Sequence, residues 1–182
     1  MELLLNNNEN SKYYDEVLYI QSNYKKIVKN PKIKAKSLSN YALLLTTIPL
    51  CLLIIFGILF LLDKNFTLYL YADIFFAIIT VIGIFYYILI KNNISKLKNE
   101  ENSKKLIIEK EYVEIIISDV KTRLNISDIL YMIINKYSIC FIPKLSRNKI
   151  IAVNVTYKNE IINEFKKINE DNLIIDNANL YN

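Results

Sequence analysis

Residues 41–90 read YALLLTTIPLCLLIIFGILFLLDKNFTLYLYADIFFAIITVIGIFYYILI, and this stretch decides the architecture. Residues 41–62 are an uncharged run of 22 residues. As a helix at about 1.5 Å per residue such a run spans about 33 Å, the thickness of a bilayer's hydrocarbon core. Asp63, Lys64 and Asn65 interrupt it, and a second apolar run over 66–90 contains one ionisable residue, Asp73. Two crossings joined by a turn at 63–65 make a transmembrane helical hairpin.

Lysine placement orients the hairpin. Lys25, Lys26, Lys29, Lys32, Lys34 and Lys36 precede the first run, and Lys91, Lys96, Lys98, Lys104 and Lys105 follow the second, whereas the connecting turn carries Lys64 alone. Positively charged flanks stay in the cytoplasm, so both termini are expected on that side of a cell membrane. Tyr69 and Tyr71 then fall at the outer interface, with Tyr86 and Tyr87 at the inner one. The opening residues 3–5 are apolar too briefly for a signal-peptide core, and no cleavage is expected.

The remainder of the 182 residues has the character of ordinary polar protein. Hydrophobic residues make up 53% of the chain, concentrated in the block above. The formal charge of +5 divides as 7 basic against 4 acidic residues over 1–40, 1 against 2 over 41–90, and 15 against 12 over 91–182. The C-terminal part is mildly basic, with alternating signs and no stripe, so nucleic-acid binding is not indicated. His is absent, and the only glycines, Gly57 and Gly83, lie inside the apolar block. Imidazole-based nucleophile pairs, imidazole metal sites and glycine-rich phosphate loops are therefore excluded, and no catalytic, cofactor-binding or metal-binding set is expected. Cys51 and Cys140 have no Cys-x-x-Cys partner and read as small hydrophobes.

Outside the hairpin the periodicity changes. Tyr14, Leu18, Gln21, Tyr24 and Val28 recur at helical spacing and predict a short amphipathic helix over 12–28, stopped by Asn30-Pro31. That helix and the Lys-rich stretch make up an N-terminal segment, 1–40. A charged linker is expected over 91–103, then a β-rich domain over 104–170. Its predicted strands are 106–108, 112–117, an alternating stretch at 121–126, a hairpin of 131–134 with 137–142, and 149–155. Tyr157, Ile161, Ile162, Phe165 and Ile168 predict a closing amphipathic helix. Residues 171–182 read as a loosely held tail. The fold class is α+β: a transmembrane hairpin followed by a small cytoplasmic antiparallel domain with a C-terminal helix.

Taken in order, the Tyr13-Tyr14-Asp15 helix, the Lys-rich stretch, the two spans, Phe141-Ile142-Pro143-Lys144 within a β-rich region, and the closing helix resemble the YcxB-like family of bacterial membrane proteins over residues 12–170. This chain has Ile126 where that family commonly has Trp before its Ser/Asp turn. The resemblance implies a pleckstrin-homology-like domain, a bent antiparallel sheet closed by a helix, and says little about activity.

Two features compete for function. An intramembrane carboxylate is a default candidate for ion handling, but a helix starting at residue 74 retains 17 residues before 91, so the spacing favours Asp73 at the outer interface. The six lysines of 25–36 set topology and also sit where the inner leaflet is negative, which makes them candidate anionic-lipid contacts. Lys144, Arg147 and Lys149 around Pro143 read as a solvated loop. The leading reading is a non-enzymatic, membrane-tethered interaction or regulatory module with a protein partner or self-association. The alternative is an oligomeric transporter or channel component built from the hairpin around Asp73.

Overall fold

The computed structural model describes residues 1–5, 11–63, 67–99, 104–117, 119–168 and 173–181. Lys64, Phe66, Ser118 and residues 100–103 of the expected linker lie outside them. The chain divides into two compact units. One is made of Met1–Lys36 together with Lys96–Asn182, and the other, Ser37–Ser95, is inserted between those segments.

The inserted unit holds α3 (Leu38–Leu62) and most of α4 (Thr67–Asn99). Both are long and apolar enough to cross a membrane, and only 6% and 17% of their most apolar windows are buried. A core helix of a water-soluble protein hides its apolar face; here Leu44, Ile54, Ile58, Leu61, Phe75, Ile78, Val81 and Phe85 are all exposed. Ser37 caps α3 by accepting the Asn40 N–H at 3.0 Å. The helices meet through Phe56, stacked on Phe76 at 5.5 Å, and through Gly83. Pro49 lacks the N–H that the Leu45 carbonyl needs one helical turn earlier. A Cβ at Gly83 would lie 2.8 Å from that carbonyl oxygen. Gly83 thus lets α4 close on the one stretch of α3 backbone that proline leaves unpaired. Residues 91–99, expected as linker, continue α4 instead, since no glycine or proline stops it.

The other unit is the β domain. Its first sheet runs β1-β2-β3-β4 (Glu2–Leu5, Lys104–Ile108, Tyr112–Ile117, Val120–Asn125), antiparallel throughout. Its second runs β7-β6-β5-β8 (Ile151–Asn154, Ser138–Pro143, Ile129–Ile134, Ile174–Asp176), antiparallel except for the β5–β8 pair. Without glycine in this unit, Asp119 adopts φ 70° at the β3–β4 turn.

Helix α5 (Lys158–Ile168) buries Ile161 and Phe165 on the main core, with Phe165 edge-on to Phe141 at 5.6 Å. That core takes Leu106, Ile108, Val113, Ile115 and Leu124 from the first sheet and Met132, Ile134, Ile139 and Phe141 from the second. Ile133, Cys140 and Ile142 alternate with the latter and face the other side of the second sheet, where Ile20 and Ile27 cover them. Burial on both faces is why β6 is buried at every position and reads as a continuous apolar run.

Ile20 and Ile27 belong to α1 (Ser11–Ser22) and α2 (Tyr24–Lys29), two helices where the periodicity predicts one. The break is at Asn23, whose side-chain amide bonds the Tyr19 carbonyl at 3.0 Å in competition with the backbone. Two further expectations change. Residues 2–5 form edge strand β1, for which the sequence offers no alternation. Part of the expected tail is β8, because Leu173 and Ile174 pack on the main core and Ile175 on the second cluster. The Asn177 side chain then bonds the carbonyls of Pro31 at 2.8 Å and Ile33 at 3.2 Å.

Candidate functional site

The N-terminal helices are locked to the second sheet by polar contacts as well as by apolar ones. Glu16 is buried, and its Oε2 accepts the Tyr137 N–H at 3.0 Å and the Ser138 hydroxyl at 2.8 Å. The Tyr13 hydroxyl donates to the Ala152 carbonyl at 2.9 Å, and the buried Lys104 ammonium lies 5.2 Å from the Tyr13 ring centre. Beside them burial pushes the Cys140 thiol up to about 12; the neighbouring Glu16 charge adds to this, while the Ser138 hydroxyl at 3.8 Å opposes it. Through Glu16 and Tyr13 this buried cluster ties α1 to the start of β6 and to β7.

At the open end of the same helix pair the surface is different. The Tyr24 hydroxyl donates to the Pro143 carbonyl at 2.7 Å, pinning α2 to the end of β6. Burial raises the Tyr24 hydroxyl above its ordinary value, which keeps it a donor. Between α2 and the loop after β6 lies a cavity of about 400 Å³ lined by Tyr24, Lys25, Lys26, Val28, Lys29, Lys144 and Leu145. Its apolar residues Tyr24 and Val28 are half-buried, whereas Lys25, Lys26, Lys29 and Lys144 are exposed, and no acidic residue lines it. Lys144 spends one ammonium donor on the Ser127 carbonyl, and its backbone N–H bonds the Asp128 carbonyl at 2.8 Å. Leu145 is 92% exposed, the most exposed of the large hydrophobic residues among the described residues.

Of the six lysines singled out from the sequence, the structure brings Lys25, Lys26 and Lys29 to this groove. Lys32, Lys34 and Lys36 lie on the extended segment that follows α2 and are exposed, outside the groove. Lys144 joins from 115 positions beyond Lys29, a proximity that only the fold creates. Leu145 carried one legible signal, an isolated leucine between lysine and serine in an otherwise polar loop.

Asp73 is elsewhere, in the second turn of α4. A Cβ at Gly57 of α3 would lie 3.3 Å from its Oδ2, so the carboxylate is turned toward the partner helix. Its Oδ1 is buried without a hydrogen-bond partner among the described residues. No group of three or more His, Cys, Asp or Glu side chains with metal-ligand geometry occurs among the described residues. In comparisons with known proteins, no family model, no curated protein and no solved structure matches this chain.

Proposed function

We propose that this protein is a membrane-anchored interaction module: the α3–α4 hairpin crosses the cell membrane, and the β domain works at the cytoplasmic face, recognising a protein segment or a second copy of itself. The observation that carries this reading is the insertion of a bilayer-length hairpin, exposed along its apolar length, into a single β domain. Both ends of the hairpin return to one unit, so both must lie on one side of the bilayer. The lysines of 25–36 and those at 91–105 favour the cytoplasmic side. What supports kinship with the YcxB-like proteins and a pleckstrin-homology-like fold is the run after the hairpin, six strands β2–β7 in two sheets and then a helix packed on the core.

The test is cross-linking in native membranes, solubilisation of the tagged chain, and identification of what is captured. One reproducible partner, or self-association through the β domain, supports the reading. A homo-oligomer cross-linked through the hairpin alone favours the alternative of a transporter or channel component. The buried Oδ1 of Asp73 is the observation that favours that alternative. Asp73→Asn abolishes transport in the second case and leaves partner capture unchanged in the first.

A further inference from the structure

We infer that the groove between α2 and the loop after β6 seats the headgroup of an anionic phospholipid, with Leu145 entering the membrane interface beside it. The inference rests on the membrane-anchored reading and adds a ligand class to it.

Lys25 and Lys29 stand at i and i+4 of α2, a like-charge spacing that costs stability in water, and Lys26 and Lys144 add to the repulsion. None of these four is paired with an acidic side chain among the described residues. A phosphate anion is the complement that such an arrangement lacks, and ammonium groups bind it as flexible point charges.

The groove also has an apolar part. Tyr24 and Val28 give the groove an apolar floor suited to the glycerol end of a lipid, and its 400 Å³ falls in the size range of small-molecule sites. Leu145, 92% exposed on the rim, gains nothing from water and is placed beside the lysines as an interfacial wedge. A free phosphate or an acidic peptide gives Leu145 no apolar surroundings, whereas a bilayer does.

Eight residues lie between Lys29 and Leu38, where α3 begins, so the chain tethers the groove within about 30 Å of the start of α3. Such a tether turns a weak headgroup contact into an intramolecular one at high effective concentration.

The chain has no Trp, so Leu145→Trp introduces a single fluorescent reporter into the full-length protein. Reconstituted in lipid discs containing phosphatidylglycerol, its emission is expected to shift to the blue and be quenched by brominated acyl chains. Discs of phosphatidylcholine alone show neither effect. Each Lys→Gln change at 25, 26, 29 or 144 should raise the phosphatidylglycerol fraction needed for half-maximal quenching by about fivefold. Hydrogen exchange of the unmodified chain provides an independent measure, with protection of 24–29 and 143–146 expected only with the anionic lipid. Equal emission and equal exchange in the two discs overturn the inference. So does reproduction of the exchange protection by soluble glycerol 3-phosphate, which marks a free-phosphate site, or by an acidic peptide, which marks a protein site. Carbonate extraction separates the layers of the argument. Release of the native protein refutes the membrane anchor itself, whereas retention without lipid dependence refutes only the groove.

Discussion

Removing residues 1–30 is expected to unfold the C-terminal β domain. Tyr13, Tyr14, Val17, Ile20 and Ile27 are exposed by only 3, 1, 6, 2 and 3%. At about 1.5–3 kcal/mol for each such side chain, the deletion withdraws about 10 kcal/mol of burial, an upper estimate of the same order as the whole stability of a small domain. It also uncovers Ile133, Cys140 and Ile142 on the outer face of the second sheet and strips Ser138 of its carboxylate partner. The single change Tyr14→Ala, at the least exposed of these residues, should cost about 3–5 kcal/mol. The assay is limited proteolysis of the membrane-embedded protein, together with amide exchange of β5 and β6. Protease resistance of residues 104–168 unchanged by the deletion refutes the claim that the two segments form one unit.

Gly83→Ala and Gly57→Ala form a matched pair in the hairpin, both gaining about 1 kcal/mol of helical propensity. At Gly83 the new methyl meets the Leu45 backbone, which must retreat by about 0.6 Å, so a net loss of about 1–2 kcal/mol in helix association is expected. At Gly57 it meets only the Asp73 carboxylate at 3.3 Å; equal effects of the two changes in a helix-proximity cross-linking assay overturn this account. Thiol labelling checks the membrane anchor: a water-soluble maleimide should modify neither cysteine in intact membranes at neutral pH and both after denaturation. Cys140 is buried with a thiol pushed up to about 12, while Cys51 is exposed on the apolar surface of α3, which lipid would cover in the proposed spanning arrangement. Stoichiometric labelling of Cys51 in membranes contradicts the spanning arrangement. For β8, burial acts against the Asp176 carboxylate, but the Lys158 ammonium at 2.7 Å and the Ala178 N–H at 2.9 Å outweigh it and hold the group below its usual 3.8. Its stabilising contribution is therefore complete above pH 3.8 and lost as pH falls through the lower folded value. Exchange protection of Ile174–Asp176 should decline over that acid window, and Asp176→Asn should remove the pH dependence.

The groove and the lock show how binding and stability are divided on the same helix pair. Tyr13, Glu16 and Ile20 face the second sheet and are engaged in packing or bonds to it. Lys25, Lys26 and Lys29 are left outward at the other end, held in place by Ile27 beneath and by the Tyr24 bond to Pro143. The lysines are thereby presented on a fixed surface, which lowers the ordering cost of engaging a headgroup.

By itself the sequence determined the local facts. The hairpin helices follow from two long apolar runs, the six predicted strands of the domain from Ile- and Val-rich alternation bounded by Asn, Asp and Ser, and α5 from its one-sided apolar face; each is a short-range pattern. Tertiary structure alone decided which separate pieces complete one another. Strand β1 exists because β2 offers an open edge, and β8 because β5 does, and an edge partner leaves no periodic trace in its own segment. The segment before the hairpin belongs to the domain after it because the second sheet has two apolar faces and α5 covers only one. Lys144 and Leu145 meet Lys25, Lys26 and Lys29 for the same reason. Such contacts depend on burying a surface created by distant strands, and no window of neighbouring residues encodes that surface.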